Sequence, residues 1–315
     1  MPIKNFEYEE LPLQDDYEGK VKATLISSDK NKPGQIPVLY LHGFVDYFFH
    51  PHLADEFHQH GYNFYALELR KYGHSMLQHQ HPNYCRNVEE YFEEISIALE
   101  QIYSEDNQKI IFLGHSTGGL IVPLYAEHGS KKDLIQAIIL NSPFLNLNEP
   151  GIVRKVGVPL LGKISKLIPY ANLPKALDPI YAKSVHKDYT GEWDFDTNFK
   201  PIEGFPAYFA WLSAIKNGQD IIKKGLNIKI PILLMHAADS FKPRKWSERV
   251  QNSDTVLNVE HMKKYGPMLG NDVTLVEVQD GMHDLFLSSQ VARNQAFEET
   301  FKWLNKKFPV NNSTQ

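Results

Sequence analysis

An α/β fold is predicted, with a mostly parallel sheet covered by helices on both faces and one inserted helical cap; three features of the chain point to it. Short, nearly all-apolar runs, such as PVLYLH at 37–42, have the length of strands and lack polar alternation. Runs of that kind suit strands buried on both faces of a parallel sheet. Between them lie longer segments with apolar residues at helical spacing, and strands that alternate with helices build a parallel sheet. One stretch, 146–227, interrupts the alternation with a different composition, so the core is expected to comprise 1–145 and 228–315.

Taken in order, 5–12 and 20–28 read as antiparallel strands joined by the polar turn Asp15-Asp16-Tyr17-Glu18-Gly19. The 37–42 strand follows the Asn31-Lys32-Pro33-Gly34 turn, then a helix at 52–60 and a strand at 62–69. Val88, Tyr91, Phe92, Ile95, Leu99 and Ile102 share one face of a helix over 87–103. A strand at 109–113, a helix at 118–128 and a strand at 135–140 continue the pattern. After the interruption, strands at 230–236 and 272–278 and a helix at 290–308 complete the core, with a further helix at 259–265.

The interruption concentrates proline and aromatic residues, among them Pro159, Pro169, Pro179, Trp193, Phe205 and Trp211, and contains no strand-length apolar run. An unstructured loop of that length does not fit a compact domain. The segment is therefore read as a helical cap lying over the C-terminal ends of the strands.

A chain of 315 residues holds a continuous core without disulfides or a structural metal. The single cysteine, Cys85, rules out an internal disulfide and suits a reducing compartment. The first residues, Met1-Pro2-Ile3-Lys4-Asn5-Phe6-Glu7, lack the apolar region of a secretory signal, and no apolar run reaches the length of a membrane span. A cytoplasmic location is the expectation. The net charge of −5 and the lack of a Lys/Arg run argue against nucleic acid as a partner, since phosphate affinity needs clustered cations.

The most informative stretch is Ile110-Ile111-Phe112-Leu113-Gly114-His115-Ser116-Thr117-Gly118-Gly119-Leu120, a G-x-S-x-G directly after a buried strand and directly before a helix. A serine at so tight a strand-to-helix turn is held in a strained conformation with its hydroxyl above the sheet edge, and the flanking glycines let strand and helix approach closely. The helix N-terminus adds partial positive charge, and the Thr117 N–H is placed to face a developing oxyanion. Ser116 is the candidate nucleophile.

With this motif the chain resembles the α/β-hydrolase superfamily, and within it the group of monoacylglycerol lipases, lysophospholipases and serine aminopeptidases. The resemblance spans nearly the whole chain, is sharpest at GHSTGG and weakest in the cap. It extends to His42-Gly43-Phe44, where the superfamily carries an H-G-x oxyanion loop; by that resemblance the Phe44 N–H is the second oxyanion donor, and His42 is a packed structural residue. Leu67–Ser75 is similar to the group's L-D-x-R-G-x-G-x-S, with Glu68 in place of the aspartate and Lys71 in place of a glycine.

An activated serine needs a base and the base an orienting carboxylate, arriving in this fold in the order serine, acid, histidine. Of the 14 histidines, His261 and His283 follow the penultimate core strand; His283 stands between the last strand and the last helix, where the fold delivers its base, and His261 is read as surface. Two acids compete. Asp239 follows the 230–236 strand closely, whereas Asp254 lies in a string resembling the group's D-x-V before a helix, 29 residues from His283. Asp254 is favoured, at the cost of an insertion over 240–253. Asp280 and Asp284 are read as turn and cap residues.

The histidines at 50, 52, 58, 60, 74, 79 and 81 suggest zinc, but His58 and His60 point to different faces of a helix; they are read as exposed helix and loop residues, with no metal and no cofactor required. In the cap, Arg154, Lys155, Lys163 and Lys166 interleave with Val153, Val156, Val158, Leu160, Leu161, Ile164 and Leu167. That composition fits weak contact with an anionic lipid surface, or a cap that buries its apolar face on the site and leaves its lysines in water. The expected chemistry is hydrolysis of a carboxylic ester of a small acyl substrate with an apolar part. An aminopeptidase is the alternative, with Glu192, Asp194, Asp196 or Glu203 to hold a free amine, and a binding protein that has lost catalysis is the rival from another class.

Overall fold

The alternation of elements builds an eight-stranded sheet in a computed structural model that describes residues 3–106, 108–148, 157–173 and 178–309. Strands β1 (Phe6–Pro12) and β2 (Lys22–Ser28) pair antiparallel at one edge. The core then runs β3 (Ile36–Leu41), helix α1 (Pro51–Gln59), β4 (Tyr62–Glu68), α2 (Phe92–Asp106), β5 (Ile110–His115), α3 (Gly118–His128) and β6 (Ile135–Asn141). An insertion follows with α4 (Val158–Ile164), β7 (Asn172–Leu173), α5 (Pro179–Val185), β8 (Ala207–Tyr208) and α6 (Phe209–Ile222). Strand β9 (Ile232–Ala237), helix α7 (Val259–Tyr265), strand β10 (Val273–Val278) and helix α8 (Gln290–Lys307) return to the core.

The strand order is β1-β2-β4-β3-β5-β6-β9-β10, and β4 through β10 are mutually parallel, with β2 antiparallel to β4. Because side chains alternate across a strand, β3 sends Leu39 and Leu41 to one face and Val38 and Tyr40 to the other. The first face packs on Ile95 and Leu99 of α2 and Leu120 and Ile121 of α3; the second packs on Leu53 and Phe57 of α1 and Phe297 and Phe301 of α8. Two covered faces explain why the central strands carry no polar alternation.

Three local expectations change. The helix read over 87–103 starts as a 3-10 turn, Val88–Tyr91, behind an Asn87/Glu90 capping box, and runs on to Asp106. The insertion, read as wholly helical, also holds the antiparallel pair β7–β8. The seven histidines between 50 and 81 are mostly not exposed: His60 and His79 are, but His50 is buried among the rings of Tyr40, Phe48 and Phe49, and the other four are partly buried. Each of those four has its own neighbour; His52 stacks on Trp193 at 4.3 Å and His58 Nε2 lies 2.9 Å from Ser28 Oγ. Trp193, Phe199 and Tyr170 of the insertion pack on His52, His74 and His81, which the sequence alone leaves at the exterior.

The departure at Lys71 is also structural. Its backbone lies in the left-handed region (φ 67°), a position that favours glycine, and its buried ammonium sits 2.6 Å from Asp16 and 2.7 Å from Glu18. The β1–β2 turn is thereby pinned to the end of β4.

Candidate active site

Ser116 follows β5 with φ 51°, and α3 begins two residues later. The turn is possible only because its neighbours have no side chain: a Cβ on Gly114 would lie 2.7 Å from the Gly118 carbonyl oxygen, and one on Gly118 would lie 2.4 Å from the Leu41 carbonyl oxygen. The Ser116 N–H donates to the Asn141 carbonyl at 3.1 Å and its own carbonyl accepts from Phe144 at 2.9 Å, so both sides of the peptide are fixed. Gly43 passes directly over Ser116, since a Cβ there would stand 3.1 Å from Ser116 Cβ. The loop carrying Phe44 thus lies on one side of Ser116 and the first turn of α3, starting behind Thr117, on the other.

His283 Nε2 is 3.0 Å from Ser116 Oγ, and His283 Nδ1 is 2.9 Å from Asp254 Oδ2. A carboxylate only accepts, so Nδ1 carries the hydrogen and Nε2 is left to accept the serine proton. The other oxygen, Asp254 Oδ1, accepts from the N–H groups of Val256 (2.8 Å) and Leu257 (2.7 Å), which fixes the carboxylate plane. The three residues are 8 %, 3 % and 0 % exposed in the order serine, histidine, aspartate. Water is held away from the line of bonds, which strengthens every electrostatic interaction along it.

Asp239 is elsewhere. Its side chain is half exposed and bonded to Arg249 at 2.5 Å. Its main chain, however, closes the excursion 240–253: the Asp254 N–H donates to the Asp239 carbonyl (2.9 Å) and the Phe241 N–H to the Asp254 carbonyl (2.9 Å). The insertion is looped out at its base, and Asp254 is returned to the end of β9. His42 is buried; its Nε2 accepts from the Leu69 N–H at 3.1 Å, tying the 42–44 loop to the end of β4.

A cavity of about 40 Å³ adjoins Ser116 and His283, lined also by Phe44, Asp46, Tyr181, Lys200, Ile202 and Val256. Three of these, Tyr181, Lys200 and Ile202, come from the insertion between β6 and β9. Lys200 Nζ lies 2.6 Å from Asp46 Oδ1, with both side chains under a tenth exposed. Burial pushes the Asp46 carboxyl up, but the Lys200 ammonium, with His115 and His42, outweighs it and brings it down to about 2. The Tyr47 hydroxyl accepts from the Asp196 N–H (2.6 Å), and Tyr47, Phe49, Val185 and Phe195 form a small apolar cluster of their own under the insertion. Tyr181 packs edge-on to His283, its hydroxyl accepting from the Asp284 N–H (3.3 Å), and Trp211 of α6 stacks on Phe44 with ring centroids 4.0 Å apart.

Asp46, Tyr181 and Lys200 were not singled out by sequence reasoning: a lone acid, tyrosine or lysine in a loop carries no spacing signal. Glu192, Asp194, Asp196 and Glu203, considered as amine-binding groups, do not line the cavity among the described residues, whereas Asp178 does. In the basic, apolar part of the insertion, Val153, Arg154, Lys155 and Val156 lie outside the described residues. Lys163 and Lys166 are exposed, and so are Leu160, Leu167 and Ile168, which corrects the expectation of an apolar face fully buried on the site.

Comparison with known proteins agrees with this architecture. A family model described as serine aminopeptidase, S33, matches residues 34–287. The monoglyceride lipase of Saccharomyces cerevisiae is 25 % identical over 284 residues, covering 85 % of this chain and 84 % of the yeast protein. Among solved structures, a soluble variant of that yeast lipase in complex with a substrate analog aligns with TM-score 0.66 at 18 % identity, over 98 % of this chain and 97 % of the other. The monoacylglycerol lipase of Paleococcus ferrophilus aligns with TM-score 0.63 at 19 % identity, over 96 % and 99 %. The sheet and its helices are those of the α/β-hydrolase fold, and the chain belongs to the serine aminopeptidase S33 family of α/β hydrolases.

Proposed function

We propose that the protein is a serine hydrolase that cleaves carboxylic esters through an acyl-enzyme on Ser116. The observation that carries this reading is the continuous bond line from Ser116 Oγ through His283 to Asp254, beneath the Gly43–Phe44 loop. His283 Nε2 takes the serine proton as Oγ bonds to the ester carbonyl carbon, and the oxygen that gains charge is stabilised by the N–H groups of Phe44 and Thr117. The tetrahedral adduct collapses with loss of the alcohol, which leaves with the proton from His283. A water, deprotonated by the same histidine, then attacks the acyl-enzyme, and Ser116 regains its proton as the acid departs. Asp254 holds the imidazole in the required tautomer throughout. No metal or cofactor takes part in this scheme.

The substrate class is a small acyl ester with an apolar part, by analogy with the yeast and Paleococcus relatives, which are named as monoglyceride and monoacylglycerol lipases. Residues 146–227 act as a lid. Tyr181, Lys200 and Ile202 of this segment line the space beside Ser116, and the lid opens to admit a fatty chain. Exposed Leu160, Leu167 and Ile168 beside Lys163 and Lys166 favour weak contact of the lid with an anionic lipid surface. No helix among the described residues is long and apolar enough to cross a membrane. A cytoplasmic setting goes with this reading and suits the single buried Cys85.

Intact-mass labelling with a fluorophosphonate, on wild type and Ser116→Ala side by side, is the test. One adduct on wild type and none on the variant is expected, followed by turnover of p-nitrophenyl esters of graded chain length. Folded wild type that takes no label defeats the hydrolase reading in favour of a binding protein. Labelling with turnover of aminoacyl amides in preference to esters would move the activity to an aminopeptidase, with Asp178 at the cavity wall as the amine partner.

A further inference from the structure

Asn141 is the last residue of β6 and is fully buried. Its main chain belongs to the nucleophile: the carbonyl accepts the Ser116 N–H at 3.1 Å and lies 3.1 Å from His115 Nδ1. Its side chain belongs to the base loop. Nδ2 donates to Asp284 Oδ1 at 2.7 Å, and Oδ1 accepts from the Leu285 N–H at 3.2 Å. Asp284 and Leu285 are the two residues directly after His283. The same Asp284 oxygen also accepts from the Phe286 N–H at 3.0 Å, so the turn after the base is fixed around that carboxylate.

From these bonds we infer that Asn141 is a positioning residue that sets the distance between Ser116 and His283, joining the nucleophile turn and the base loop through one residue. This rests on the roles given above to Ser116 and His283. The chemistry at the position calls for a short carboxamide: one partner is a carboxylate and needs a donor, the other is an N–H and needs an acceptor. An aspartate would set two carboxylates against each other, and a hydrophobic residue would leave the buried acid with the Phe286 N–H but without its side-chain donor. Neither Asn141 nor Asp284 is among the described residues that line the cavity, so substrate contact does not account for the pair. The base loop is also braced by Ser288 Oγ between the Met282 N–H and the Asp284 carbonyl (2.8 and 3.1 Å), and from outside by Trp193 Nε1 donating to the Leu287 carbonyl (2.8 Å), by His52 Nε2, 2.9 Å from the Phe286 carbonyl, and by the Tyr181 hydroxyl. These partners stand in the loop, in α1 and in the insertion rather than on the sheet, and His115 Nε2 of β5 lies farther off, 3.8 Å from Asp284 Oδ2. The Asn141 side chain ties the loop to the sheet, and placing a base within reach of a nucleophile is sensitive to shifts of about 1 Å, each worth about 10²-fold in rate.

The experiment compares the full chain with Asn141→Ser, which is too short to reach either partner, and Asp284→Asn, whose carboxamide oxygen still accepts from both Asn141 and Phe286. Steady-state hydrolysis of p-nitrophenyl butyrate, fluorophosphonate labelling rate and melting temperature are measured on each. Asn141→Ser is expected to lose about 10²-fold in kcat with KM within ~3-fold, and to label correspondingly slowly. Asp284→Asn is expected to stay within ~3-fold of wild type in both constants, since the tether survives and only the charge is removed. If Asn141→Ser does not fold, Asp284→Ser, which removes the buried carboxylate together with the tether, is read in its place with the same expected loss. A folded breaking variant with wild-type kcat overturns the inference. So does an Asp284→Asn loss as large as that of the breaking variant, or loss of the fold in both breaking variants. Failure of wild type to label at all overturns the Ser116 reading instead, and the two outcomes are distinct.

Discussion

Replacing Lys200 by methionine removes the ammonium from the pair with Asp46 and leaves its aliphatic bulk. Both side chains are nearly fully buried, at 8 % and 3 % exposed, so the carboxylate left behind is largely desolvated. Breaking a buried pair from one side costs ~3–5 kcal/mol. For 315 residues at about 2.1 cal/mol/K per residue, the unfolding entropy is ~0.66 kcal/mol/K and the melting temperature should drop by ~5–8 °C. Asp46→Asn combined with Lys200→Met removes both charges and is expected to recover most of that loss. The pH dependence has a definite sign. In wild type the Asp46 carboxyl is held at about 2, below the ordinary 3.8, so its contribution is complete above 3.8 and is lost as pH falls toward 2. Without the ammonium, burial raises the carboxyl, the folded state binds the extra proton, and the deficit relative to wild type shrinks on acidification from pH 7 to 4. Calorimetry of wild type, the single and the double variant at both pH values measures all of this. A Lys200→Met drop under ~2 °C at pH 7, or a deficit that widens on acidification, would refute the argument.

Asp254→Asn should lower kcat by about 10⁴-fold through the wrong imidazole tautomer, while Asp239→Asn, at an exposed ion pair, should leave kcat within ~2-fold; the reverse order in an ester assay would reassign the acid. Burial lowers His50 to about 3 and His52 to about 4, below the ordinary 6.5, so the unfolded chain takes up protons first and stability falls as pH drops from 6.5 toward 4. The slope is ~1.4 kcal/mol per pH unit for each histidine, and His50→Phe, in its aromatic slot, should flatten it in denaturant titrations between pH 6.5 and 4. Gly118→Ala forces a methyl against the Leu41 and His42 carbonyls and should cost ~1–3 kcal/mol by chemical denaturation, with a loss of fluorophosphonate labelling; an unaffected variant would show that the turn yields more easily than its contacts imply.

Local physics made much of this protein readable without coordinates. The strands could be placed because burial on both faces removes polar alternation, and the helices because one apolar stripe recurs every turn; both signals are periodic and short-range. Ser116 could be singled out because a glycine-flanked serine between a strand and a helix is a local pattern, and the β5–α3 turn at φ 51° is the conformation that pattern requires. Position in the chain also brought His283 forward. The acid was different. Asp239 suits the end of the strand and Asp254 the 29-residue step to His283, which favoured Asp254; the closure of 240–253 on the Asp239 carbonyl is what brings that carboxylate to the imidazole. Several of the histidines at 50–81 were misjudged for a related reason: exposure depends on what another segment covers, as where Trp193 of the insertion stacks on His52. The pairs Asn141–Asp284 and Asp46–Lys200 lie 143 and 154 residues apart and have no signature in one sequence. A hydrogen bond or ion pair between distant residues has no period and no composition; it exists because strand register and the seating of the insertion bring two polar groups together where water is excluded, and that is a property of the tertiary structure alone.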